Sequence, residues 1–87
     1  MTDTVQCWLV ERTFDQRNLV TIVYATPDGE RFLQQERSAN SLTRNPVTAG
    51  KTVPEENLEQ TDDEATRERY AKEATRTAEQ YDPDEAI

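Results

Sequence analysis

Three strand-length runs follow one another within the first 37 residues, joined by turns short enough to force antiparallel neighbours. Both faces of the sheet they would form are apolar. Val5 to Phe14 (VQCWLVERTF) is rich in β-branched and aromatic residues, with Val5, Cys7 and Leu9 on one face and Trp8, Val10 and Phe14 on the other. Asp15-Gln16-Arg17-Asn18 reads as a short turn. Leu19 to Thr26 (LVTIVYAT) is the strongest strand signal, with Leu19, Val23 and Ala25 facing one way and Val20, Ile22 and Tyr24 the other. In Thr26-Pro27-Asp28-Gly29-Glu30, Pro presets the first turn position, Asp bonds the local backbone and Gly supplies a positive φ. Arg31 to Arg37 (RFLQQER) then returns as a third strand with Phe32 and Leu33 on opposite faces.

The rest of the chain changes character. Residues 38–53 (SANSLTRNPVTAGKTV) are rich in Ser, Thr and Asn and read as a surface connection, with a short extended piece near Val47 or from Lys51 to Val53. Pro54 can open a single acidic turn through Leu58. Thr61-Asp62-Asp63-Glu64 matches a capping box, in which the Thr hydroxyl accepts from the backbone three residues on and the Glu reaches back. A helix follows to Tyr81, ended by Asp82-Pro83 because a residue before Pro avoids the helical region. Arg67, Tyr70, Ala71, Ala74, Ala78 and Tyr81 share one arc of it, an Ala-dominated stripe that can approach a sheet closely while burying little area.

These runs predict a single α+β domain over residues 1–81: a meander (1–37), a connecting segment (38–60) and a helix (61–81), with 82–87 as a flexible acidic tail. The sheet is expected to be antiparallel with three or four strands, and the helix to lie across one face. One helix cannot cover two apolar faces. Either the 38–58 segment folds over the second face, or another chain does. Trp8, Val10, Ile22 and Tyr24 are the expected interface residues in the latter case.

The chain carries 18 Asp and Glu against 10 Lys and Arg, with no His, for a net charge of −8. The C-terminal third, residues 54–87, accounts for the whole excess, whereas residues 30–53 are slightly basic. Lys is scarce, two copies against eight Arg, and Thr is abundant at twelve. An acidic surface, Arg in place of Lys and few bulky aliphatics match the habit of cytoplasmic proteins in molar salt. There the Debye length falls to about 3 Å and self-repulsion is screened. This charge argues against a nucleic-acid or anionic-membrane partner, since those affinities rest on basic patches and released counterions. No apolar run approaches the length of a membrane span.

Little in the sequence carries chemistry. Asn45-Pro46-Val47-Thr48-Ala49-Gly50-Lys51-Thr52 ends like a phosphate-binding loop but lacks the first Gly, loses an amide at Pro46 and meets Pro54 where a helix is required. Cys7 sits inside an apolar strand with no His anywhere to deprotonate it, so it reads as a buried thiol. Asp62-Asp63-Glu64 is a helix start, and the acids of the tail lack calcium-loop spacing. Aromatics at strand spacing (Trp8, Phe14, Tyr24, Phe32) read as core, where a base-stacking platform would need a basic surround. No catalytic residue, metal or cofactor is expected. Arg31, Arg37 and Arg44 are the candidate ligand-binding residues, provided that they converge over the sheet.

Three stretches carry a resemblance: Cys7-Trp8-Leu9-Val10-Glu11-Arg12-Thr13, Tyr24-Ala25-Thr26-Pro27-Asp28-Gly29-Glu30-Arg31 and Thr66-Arg67-Glu68-Arg69-Tyr70-Ala71. Over most of its length the chain resembles small proteins of halophilic archaea that carry no assigned function. The resemblance implies a halophilic, cytoplasmic setting and transfers no site residue. The expected function is a non-enzymatic, halophile-adapted protein-interaction module, homodimeric or bound to a protein partner. The alternative is a small-ligand or nucleotide binder using the basic middle segment.

Overall fold

The alternating runs become strands with almost the expected bounds. The computed structural model describes residues 3–87, so the first two residues of the expected meander lie outside the described residues. The elements are β1 (Thr4–Phe14), β2 (Leu19–Ala25), β3 (Arg31–Ser38), α1 (Ala39–Arg44), β4 (Gly50–Pro54), a 3-10 turn (Glu55–Asn57), β5 (Glu59–Gln60) and α2 (Glu64–Gln80). The sheet has five strands in the order β4-β1-β2-β3-β5, every neighbouring pair antiparallel. The α+β class and the C-terminal helix are as expected; two short strands from the connecting segment flank the meander.

Each face of the sheet has its own cover. On the helix face, Val23, Ala25 and Tyr70 are buried, with Val10 and Phe32 packed against them. On the opposite, loop face, Cys7, Leu9, Val20, Ile22, Tyr24, Val47 and Val53 form the larger cluster, joined by Val5, Leu33, Leu42 and Leu58. Leu42, Val47 and Leu58 come from the 38–58 segment, so this segment folds over the second apolar face. The Tyr24 hydroxyl donates to the Thr48 carbonyl at 3.0 Å, which satisfies a polar atom that this cover would otherwise strand.

A β-bulge corrects the expected division of β1. Trp8 pairs with Ala25 and Leu9 with Tyr24, but Glu11, not Val10, pairs with Val23. The extra residue is Val10, and beyond it the alternation is reversed. Phe14 therefore lies opposite Val20 on the loop face, where it is 65% exposed. Trp8, Val10, Ile22 and Tyr24 do not share one face. Trp8, paired with Ala25, and Val10 lie on the helix side, while Ile22 and Tyr24 are covered by the chain itself on the other.

The helix start and the tail also differ from expectation. Asp63, not Thr61, is the N-cap, with its Oδ2 accepting from Thr66 N at 3.0 Å and Thr66 Oγ1 at 2.8 Å. The Thr61 hydroxyl instead donates to Gly29 O at 2.8 Å, tying the helix start to the β2–β3 hairpin. On α2 the sheet-facing stripe contains Thr77, whose Oγ1 donates to Leu9 O at 2.8 Å, while Ala78 is exposed. The tail is not free. Ala49 N donates to Glu85 O, Gly50 N to Pro83 O and Ile87 N to Val47 O, each at 2.8–2.9 Å. An acidic composition is no bar to docking when the bonds are between main-chain groups.

Candidate functional site

The three candidate arginines do not converge. Arg31, at the start of β3, places Nη1 2.7 Å from Glu55 Oε1, and this hydrogen bond raises its pKa further. Arg37, at the other end of β3, donates from Nη2 to Ser41 Oγ and Asn45 O, both at 2.9 Å, and closes the C-terminal end of α1. Six residues of strand put the two backbones roughly 20 Å apart. Arg44 lies in the last turn of α1, exposed. Two of the three side chains are committed to intramolecular partners, one carboxylate and one helix end.

Lys51 and Thr52 lie within β4, not ahead of a helix, so the phosphate-loop geometry is absent at that motif. The Lys51 ammonium reaches across the loop face to Gln35 Oε1 at 3.3 Å and sits 6.0 Å from the centre of the Tyr24 ring. Cys7 is fully buried, and burial pushes its thiol pKa up, with Arg31 opposing weakly. A thiol held neutral in this way is a poor nucleophile. Among the described residues no group of three or more His, Cys, Asp or Glu is placed to hold a metal ion. No helix there is long and apolar enough to cross a membrane.

Two surface features remain. The first is a shallow groove of about 330 Å³ between β1 and α1, lined by Arg12, Phe14, Val20, Ala39 and Leu42. It exists because the bulge at Val10 turns Phe14 onto the loop face; no sequence rule places that bulge. The second is the outer edge of β3. Thr26 N donates to Arg31 O, so Arg31 turns its main chain toward β2 and the alternation makes Leu33, Gln35 and Arg37 do the same. Glu30, Phe32, Gln34 and Glu36 therefore turn theirs outward. Thr61 N bonds Glu30 O, and Glu59 pairs with Phe32, but β5 then ends. The N–H and C=O of Gln34 and Glu36 have no main-chain partner among the described residues.

The opposite edge of the sheet is treated differently. On β4 the outward N–H of Gly50 is taken by Pro83 O, and Pro54 has no N–H to offer. Only Thr52 is left between them. One edge is thus blunted by proline and the docked tail, and the other is open along the middle of its strand.

The match to known families spans the whole chain: a model described as a family of unknown function, DUF7967, covers residues 1–87. The chain belongs to the DUF7967 family. No curated protein and no solved structure matches it. On the surface of this DUF7967 member, the β3 edge carries a longer run of unpaired main-chain groups, at Gln34 and Glu36, than the β4 edge, where Thr52 alone is left.

Proposed function

We propose that the chain is a non-enzymatic protein-interaction module that works by accepting an extended strand at the outer edge of β3. The single observation that carries this is the row of main-chain donors and acceptors at Gln34 and Glu36, open between β5 and α1. Strand addition at a sheet edge draws its affinity from such groups and its selectivity from alternate side chains. With both apolar faces covered by α2 and by the 38–58 segment, the edge is also where a partner meets the least rearrangement. The acidic, Lys-poor composition supports a salt-adapted, cytoplasmic setting, in which charge-driven contacts are screened and main-chain pairing is not.

A soluble six-residue peptide of alternating Val and Thr, with a Lys at each end, tests the reading by titration into dilute isotope-labelled protein. Amide shifts should centre on residues 33–37 and vanish in Glu36→Pro. That substitution removes an outward N–H and no intrachain hydrogen bond, so native far-UV dichroism should persist. Millimolar peptide that leaves these amides unmoved, or moves only those lining the groove at Phe14, would overturn it.

A further inference from the structure

We propose that the strand received at this edge is β3 of a second copy of the chain, paired antiparallel about a two-fold axis at Glu36 and opposed at low salt by the two Glu36 carboxylates. This rests on the edge reading above and adds the partner, the register and a dependence on ionic strength.

The register follows from what already occupies the edge. β5 fills the place beside Arg31 and Phe32, and β3 stays extended and paired with β2 as far as Ser38. In a self-paired dimer the second copy's Ser38 therefore cannot lie opposite Phe32 without meeting Glu59. Centring the pair on Gln35 does just that, so that register is closed. Only even-numbered residues turn their main chains outward, and centring on Glu36 is the first register that uses them and clears β5. It sets Glu36 against its own copy as a doubly bonded pair and Gln34 against Ser38. On the other face Gln35 lies opposite Arg37, with no like charges facing each other and each side chain already bonded within its own chain. The Ser38 side-chain oxygen accepts from Ser41 N, and its N–H remains to donate to Gln34 O of the other copy. Four main-chain bonds form across the axis.

The one repulsive contact is the Glu36 pair. Directly opposite residues of a bonded pair lie about 5.5 Å apart at Cα, and like charges placed so oppose pairing. Two unit charges about 6 Å apart in water weaken the dimer roughly threefold, and a Debye length of about 3 Å at 1 M salt removes most of that. A charge on an exposed edge strand is also how sheets avoid indiscriminate pairing. Five residues of strand bury far less than a standard interface, so the dimer is weak and depends on concentration.

Sedimentation of the wild type and Glu36→Gln should decide the matter, run from the lowest KCl at which the fold is intact to about 2 M. The dimer fraction should rise with salt. Glu36→Gln should tighten the dimer about threefold at the low end, and the two curves should meet at the high end. Mixing the wild type with Glu36→Lys should give more than half of all dimers as mixed dimers, because only the mixed pair sets opposite charges together. A wild-type mass of one chain at millimolar concentration in about 2 M KCl overturns the proposal, as does a dimer indifferent to both substitutions. If the chain stays single while the strand peptide still binds, only the partner is wrong and the edge reading stands. If neither binds, both fall.

Discussion

Replacing Gly29 with Ala should detach the helix from the hairpin. Gly29 has φ +73°, and a Cβ built on it would collide with the Arg67 carbonyl oxygen and come within 2.8 Å of Ala71 N, both in the α2 backbone. Neither atom can rotate away, so the helix or the turn has to move as a unit. An L-residue in the left-handed region costs about 1–2 kcal/mol. Losing the Thr61 hydroxyl bond to Gly29 O adds about 1 kcal/mol. Lifting Tyr70 from Phe32, whose ring centres are 5.9 Å apart, adds about 1 kcal/mol more. The expected loss is thus about 3–4 kcal/mol, against roughly 4–13 kcal/mol for a domain of this length at ~0.05–0.15 kcal/mol per residue. Urea unfolding in high salt should show it as a midpoint lowered by about 2 M at a slope near ~1.5 kcal/mol/M. Gly50→Ala is the control. There a Cβ meets the flexible Gln6 amide at 2.7 Å and Pro83 at 3.0 Å, at an ordinary φ, and about 1 kcal/mol is expected. A Gly29→Ala midpoint within error of the wild type would refute the hairpin–helix contact.

Three further outcomes follow from the same contacts. The carboxyls of Asp28 and Asp63 are held below their ordinary pKa, the first by the Thr26 hydroxyl and Glu30 N, the second by the Thr66 hydroxyl and N–H. Their contribution to stability is therefore present above the unfolded value of 3.8 and is lost as pH falls through the lower folded value; Asp63→Ala, which removes a helix cap, should lower stability at neutral pH and lower it less in acid, measured by denaturation. The Cys7 thiol, raised by burial, should resist a thiol reagent in the folded chain, and stability should fall once pH exceeds the ordinary value of 9.0, because the unfolded chain then ionises and the folded one does not. Melting temperature should climb as KCl rises from about 0.1 M to above 1 M, and a flat or falling trend would remove the salt-adapted reading.

The strands of the meander were legible because alternation and turn chemistry are local properties, and β1, β2 and β3 each fall within a residue of their expected bounds. The bulge at Val10 was not legible, since nothing in Leu9-Val10-Glu11 marks an extra residue; it depends on how two strands meet. That one insertion moved Phe14 across the sheet and split the expected interface set. Thr61 failed as a cap for a related reason. Its hydroxyl found an acceptor at Gly29, 32 residues away, and Asp63 took the vacant role with the same chemistry. The open edge could have been suspected from the shortness of any strand between Leu58 and Thr61. Its bounds required knowing that Glu59 pairs with Phe32.

Strand addition to β3 requires that its main chain be open at its middle. Amide hydrogen exchange of residues 33–37, followed residue by residue in dilute protein at the lowest salt that keeps the fold, tests this directly. Leu33, Gln35 and Arg37, turned toward β2, should exchange slowly, and Gln34 and Glu36 should exchange within about tenfold of an unstructured chain. Slow exchange at all five positions under those conditions would mean that the edge is already covered, and would rule out strand addition there.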